Sequence, residues 1–163
     1  MPKPVSAYND QHKLPSPEDV IPCEDYTLTL NPCDELQCFK SNIIHRLNDF
    51  RMHQSTHLLC LVAPYAKYNL YIEISKRGRL HMHGTISITD VLGFYMKAIP
   101  ALLSQYSLEI DTITDRKVWD IYCMKQAHIW PKKLNSIVTS QKPLPTLTNP
   151  LTLYMTQQST SSE

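Results

Sequence analysis

Two runs of alternating polarity constrain this chain most: "YNLYIEIS" (68–75) and "RLHMHGTISI" (79–88), which meet at "KRGR" around Gly78. Alternation with period two is the pattern of a strand with one buried face, and a glycine between two such runs predicts a β-hairpin. Successive strand side chains point to opposite faces, so His81 and His83 project together, with α-carbons about 6.6 Å apart. Glu73 sits between Ile72 and Ile74 and projects away from them. Across a tight turn its strand neighbours that of the histidines at about 4.8 Å, so all three side chains can share one patch. Two imidazoles and one carboxylate, with positions left open, suit a divalent ion acting as a Lewis acid. The plainer alternative is three polar residues on the solvated face of an amphipathic strand.

The other elements follow from their own periods. "DYTLTLN" alternates and predicts a first strand. "DELQCFKSNIIHRLNDF" places Leu36, Phe39, Ile43, Leu47 and Phe50 at helical spacing, with Asp34 at the capping position. "HLLCLVAPY" is a continuous apolar run, the pattern of a buried central strand. "DVLGFYMKAIPALLSQY" predicts a helix disturbed at Pro100, which lacks an N–H and clashes with the preceding turn. "SLEIDTI" predicts a short strand, and "DRKVWDIYCMKQA" a helix with Asp115 near its start. The order β-α-β-β-β-α-β-α predicts an α+β fold, a mostly antiparallel sheet of about five strands with helices packed on it.

With 163 residues, 42% of them hydrophobic and 19% charged, the chain has the composition of one folded domain rather than a disordered segment. No apolar run approaches the roughly 18 residues of a membrane span, and the N-terminus lacks a signal-peptide core, so an intracellular protein is expected. Five cysteines without a CxxC pair predict free thiols, not a disulfide frame or a zinc site. Prolines 2, 4, 15, 17 and 22 mark residues 1–24 as a flexible arm. Residues 135–163, rich in Pro, Ser, Thr and Gln, read as a polar tail in which "LTLYM" either adds a short strand or packs on the surface, leaving 25–134 as the domain. Between Tyr26 and Lys133 there are 13 Lys+Arg against 9 Asp+Glu, a balance that suits phosphate but equally fits ordinary charge scatter.

Tyr122 and Lys125, in "WDIYCMKQ", are three residues apart and lie about 60° apart around a helix. A tyrosine with an ordinary pKa near 10 is a poor nucleophile at neutral pH. A metal ion and a nearby ammonium that draw charge from a phosphodiester make attack feasible. By themselves the two also fit an amphipathic packing residue and its solvated neighbour.

Taken together these motifs resemble one family. "HMHG" resembles the His-hydrophobic-His motif of HUH endonucleases, and "YCMKQ" the YxxK motif of their replication-initiator (Rep) branch, in the YCxK form typical of circular single-stranded DNA viruses. "LTLNP" (28–32) is similar to that family's first motif, and Glu73, eight residues before His81, falls where viral Reps carry the third metal ligand. The resemblance spans roughly Tyr26 to Lys133. It implies a nickase and strand-transferase that starts rolling-circle replication on single-stranded DNA at an origin, through a 5′-phosphotyrosine. It implies Tyr122 as nucleophile, Lys125 as its charge-neutralising neighbour, and Glu73, His81 and His83 as ligands of Mg2+ or Mn2+. Many such proteins have Gln where this chain has His83, so the site here is more fully liganded. They usually continue into a helicase, yet no GxxxxGK[ST] occurs here, which predicts an isolated nuclease domain or a helicase acting in trans. A eukaryotic viral source would imply the host nucleus.

For DNA contacts, Thr29 and Asn31 share a strand face within the first motif, while Lys76, Arg77 and Arg79 at the hairpin either meet phosphates or form a solvated turn. Trp119 reads as a core anchor more than a base-stacking platform. Three rivals stand beside the Rep reading. In a single-tyrosine HUH transposase, Tyr122 to Gln126 would supply YxxxQ and Gln126 would complete the metal site. A two-histidine RNA phosphoesterase would use "HQS" (53–55) and "HGT" (83–85). A non-catalytic RRM-like module would stack bases on Tyr68 and Tyr71.

Overall fold

The computed structural model describes residues 12–33, 43–126 and 136–141. Five strands form a single sheet: β1 (Asp25–Pro32), β2 (Ala66–Ile74), β3 (Leu80–Ile88), β4 (Tyr106–Thr112) and β5 (Ile137–Thr139). Their spatial order is β4-β1-β3-β2-β5, and every pairing between them is antiparallel. Three helices complete the described fold: α1 (Ile43–Leu61), α2 (91–103) and α3 (Arg116–Cys123). The chain is thus α+β, consistent with an HUH/RRM-like architecture.

The expected hairpin organises the sheet. β2 pairs with β3 from Ala66↔Ile88 to Ile74↔Leu80, which sets Glu73 directly opposite His81. Gly78 turns the chain at φ 81°, a conformation that favours glycine. The Ser75 N–H then donates to the Arg79 carbonyl at 2.8 Å, closing the loop. β3 lies at the centre, hydrogen-bonded on both sides, so its side chains are held by two ladders.

One face of the sheet is the core. Leu28 and Leu30 of β1, Leu70 and Ile72 of β2, Met82 and Ile86 of β3 and Leu108 of β4 are all at most 2% exposed. Leu47, Phe50, Leu58 and Val62 cover them from α1 and its following turn, and Phe94, Ala98 and Leu102 from α2. In α2, residues Phe94–Ala98 widen into a π turn, with the Ile99 N–H donating to the Phe94 carbonyl. This disturbance falls immediately before Pro100, whose ring would crowd the carbonyl of Met96 in a regular helix.

Three expectations need correction. "HLLCLVAPY" is no strand: α1 runs on through Leu61, and the chain turns before β2. Leu58 and Val62 extend the stripe begun by Leu47, Phe50 and Gln54, while Leu59 and Cys60 within the same apolar run face solvent. Helical spacing therefore outweighs the local run of apolar residues. The fifth strand is instead β5, within the stretch read as a tail, where Val138 is fully buried against β2. The described part of the N-terminal stretch is also packed: the backbone of Lys13 forms a parallel β-bridge with Glu109 of β4, and Val20 is buried in the core. The segment holding Asp34, Leu36 and Phe39 lies outside the described residues, as does all of 142–163 with "LTLYM" in it.

Candidate metal centre and active site

The opposite face of the sheet is polar. It carries Thr27, Thr29 and Asn31 of β1, Tyr71 and Glu73 of β2, His81, His83 and Thr85 of β3, and Glu109 and Asp111 of β4. Helix α3 lies over this face, held at three places. At its start Arg116 Nη1 pairs with Asp25 Oδ2 of β1, and the Asp115 side chain accepts from the Val118 N–H. In the middle, Trp119 Nε1 donates to the Gly84 carbonyl of β3 at 2.9 Å. Just past its end, Gln126 donates to the Ile74 carbonyl and accepts from the Ile74 N–H, both at 2.8 Å. Trp119, Cys123 and Gln126 recur at helical spacing along the side toward the sheet, and Val118 and Ile121 remain exposed on the other.

Gly84 matters to this seating for a second reason. A Cβ there would come within 1.9 Å of the Asn69 carbonyl oxygen and 2.8 Å of Leu70 Cα, so only glycine fits the close approach of β3 to β2. The residue after the second histidine is therefore fixed by backbone sterics, and its carbonyl anchors the helix.

Glu73, His81 and His83 come together as expected. Their ligand atoms lie within 4.8 Å of one another, and among the described residues they are the group of His, Cys, Asp and Glu side chains able to hold a metal ion. His81 Nε2 is 3.5 Å from Glu73 Oε1, and His83 Nε2 is 3.7 Å from Glu73 Oε2. An ion with bonds of about 2.1 Å keeps its donors roughly 3 to 4.2 Å apart, so small side-chain movements suffice to close the set. Glu73 is 7% exposed, and its Oε2 is buried without a hydrogen-bond partner. A buried oxygen of this kind is costly unless something binds it, and a cation between the imidazoles would.

The outer contacts orient both rings. His81 Nδ1 faces the Arg79 carbonyl at 3.4 Å, and since a carbonyl only accepts, that nitrogen carries the proton of this long contact. His83 Nδ1 lies 3.0 Å from Thr29 Oγ1. With both Nδ1 atoms engaged, both Nε2 atoms are directed at Glu73, the arrangement by which partners of a ligand imidazole fix its tautomer. Burial, reinforced by His81, pulls the His83 pKa down to about 4 against the opposing pull of Glu73, so the ring is neutral at neutral pH and has a lone pair to donate.

Tyr122 and Lys125 arrive at the same place from α3 and its last turn. The Tyr122 ring stands edge-on to His83, centroids 5.5 Å apart, and stacks on Trp119 at the same separation. Lys125 Nζ lies 3.8 Å from the Tyr122 ring centroid and 3.0 Å from Glu73 Oε1. Burial lowers the Lys125 pKa, but hydrogen bonds to Glu73 and the Tyr122 hydroxyl outweigh it, and the net shift is upward. Tyr122 is 42% exposed and so is open to solvent. Beside it opens a cleft of about 320 Å³ whose lining includes Lys13, Thr29, His83, Glu109, Asp111 and Tyr122.

The remaining expected positions divide. Thr29 borders the cleft but spends its hydroxyl on His83. Asn31 is exposed further along β1 and does not line the cleft. Lys76, Arg77 and Arg79 are exposed on the turn at the Glu73–His81 end of the hairpin. Trp119 is half-buried and anchors α3 to β3. His53 belongs to α1, where it stacks on His57, whose ring in turn meets the core residue Tyr106. It therefore shares no site with His83. The clamp by Gln126 and the outer-sphere role of Thr29 have no signature in the linear sequence beyond the alternation that put Thr29 on the right face.

Comparison of the chain with protein families, with curated proteins and with solved structures finds no match. Among the described residues no helix is long and apolar enough to cross a membrane.

Proposed function

We propose that this protein is a metal-dependent HUH endonuclease and strand-transferase of the Rep type, which nicks single-stranded DNA at a replication origin and starts rolling-circle synthesis. One juxtaposition carries the reading: a half-exposed tyrosine beside a neutral histidine of a three-ligand group, with one lysine touching both the tyrosine and the carboxylate. Mg2+ or Mn2+ held by Glu73, His81 and His83 would polarise a non-bridging oxygen of the scissile phosphate. Tyr122 Oη attacks the phosphorus in line. The new O–P bond gives a 5′-phosphotyrosine, the P–O3′ bond breaks, and the 3′ oxygen leaves as a hydroxyl. Lys125 stabilises the phenolate character that attack requires. A 3′-OH reverses the step and reseals a strand, because the aryl ester retains the bond energy.

The acidic side chains Glu109 and Asp111 at the cleft favour bases over phosphates there. The cationic turn of Lys76, Arg77 and Arg79 suits the phosphate backbone at the other end. A helicase acting in trans would supply unwinding, and a eukaryotic viral source would place the reaction in the host nucleus. The transposase reading is weaker because both ends of the Gln126 amide are bonded to Ile74. An RRM-like binder is weaker because α3 lies across the face on which bases would stack.

The test is a covalent-adduct gel: protein, a pool of single-stranded DNA and Mn2+, denatured and run beside Tyr122→Phe and an EDTA control. A shifted band lost in both controls is expected. A band that persists in Tyr122→Phe would overturn the nucleophile, and a band indifferent to EDTA would overturn the role of the metal.

A further inference from the structure

Glu73 is a buried carboxylate between two imidazoles, and Lys125 is the ammonium that touches it. That ammonium bonds to Oε1, while Oε2 stays buried and unbonded. A divalent ion drawing on Glu73, His81 and His83 would stand beside the position the ammonium now holds. Two cations on one carboxylate repel strongly where water is scarce. Lys125 has somewhere else to go: its side chain is 39% exposed, its stem is flexible, and it already lies against the Tyr122 ring.

We propose that Lys125 is a resident counter-cation for Glu73 that a divalent ion displaces from the carboxylate, so that metal loading turns an ammonium shared between Glu73 and Tyr122 over to the nucleophile alone. This role rests on the metal centre of the nickase reading and adds to it. Lys125 competes with the ion for Glu73 before any DNA arrives, then serves the tyrosine afterwards. An empty site keeps its carboxylate neutralised and its tyrosine without the lysine's full support. The same lysine thereby opposes metal binding and assists the chemistry, two effects that a purely catalytic or a purely structural lysine would not combine.

The experiment is Mn2+ binding without DNA, by calorimetry and by Mn2+ electron paramagnetic resonance, on the full chain, Lys125→Met and Glu73→Gln. Lys125→Met is expected to bind Mn2+ more tightly by roughly fivefold or more, the low end of coupling between linked binding events. Glu73→Gln is expected to lose binding. A companion Mg2+ titration of the full chain, followed by the ε-13C resonances of its lysines, should move one resonance that is missing from Lys125→Met. Binding by the full chain with no gain in Lys125→Met overturns this role of Lys125 and leaves the metal centre standing. No binding by any of the proteins overturns both. Thermal melts of Lys125→Met separate a failure to fold from either result.

Discussion

The two faces of the sheet are built from the same five strands and follow opposite rules. On one face Leu30, Leu70, Met82 and Leu108 are all fully buried in the apolar cluster that α1 and α2 complete. On the other, Glu73 and His83 are nearly as buried, at 7% and 8% exposed, yet they are polar and one carboxylate oxygen goes unbonded. Burial of a leucine stabilises a fold directly, whereas burial of a carboxylate among imidazoles costs stability unless a cation joins it. The difference between these buried leucines and that nearly as buried carboxylate is the difference between a structural core and a candidate site.

That contrast can be broken or sharpened by substitution. Met82→Ala, on β3 between the two histidines but facing the core, should cost about 2–5 kcal/mol in urea unfolding while the folded fraction keeps its Mn2+ affinity. An equal loss of affinity would mean the faces are coupled through β3. Glu73→Gln should do the reverse: unfolding free energy changed by less than about 1 kcal/mol, because the Lys125 it releases is half exposed, and no measurable Mn2+ binding. A large destabilisation there would make Glu73 structural. Thr29→Val should weaken Mn2+ by roughly ten- to a hundredfold through the lost orientation of His83. Unchanged affinity would return Thr29 to the DNA contact expected from its motif.

The smallest effect is expected at the exposed edge of the polar face. Asp111 is held below the usual carboxylate value chiefly by its hydrogen bond to Lys13. A carboxylate with a lowered folded pKa contributes stability that is fully present above its unfolded value, near 3.8, and is lost as pH falls through the lower folded one. Asp111→Asn should therefore lower the melting temperature slightly at neutral pH, and the gap from the unmodified chain should close below pH 3.8. A gap that persisted in acid would mean the side chain acts through packing rather than charge.

Alternation gave the hairpin and the shared face of Glu73, His81 and His83 without any structure, since the period of two is a property of the backbone. The Asp115 cap and the disturbance at Pro100 were legible for similarly local reasons. The run 57–65 was not, because its six consecutive apolar residues fit a buried strand and a helix alike, and only the stripe from Leu47 through Leu58 decides between them. β5 was not legible either: three residues in a polar stretch become a strand only because the edge of β2 is there to pair with.

By itself, then, the sequence determined which of the candidate residues share a strand face, because backbone geometry dictates the alternation. Only tertiary structure decided that α3 lies across that face, through Arg116, Trp119 and Gln126, so that Tyr122 and Lys125 meet a group about forty to fifty residues earlier in the chain. Those three clamps join elements distant in sequence, and no local period encodes a contact whose partner lies on another strand.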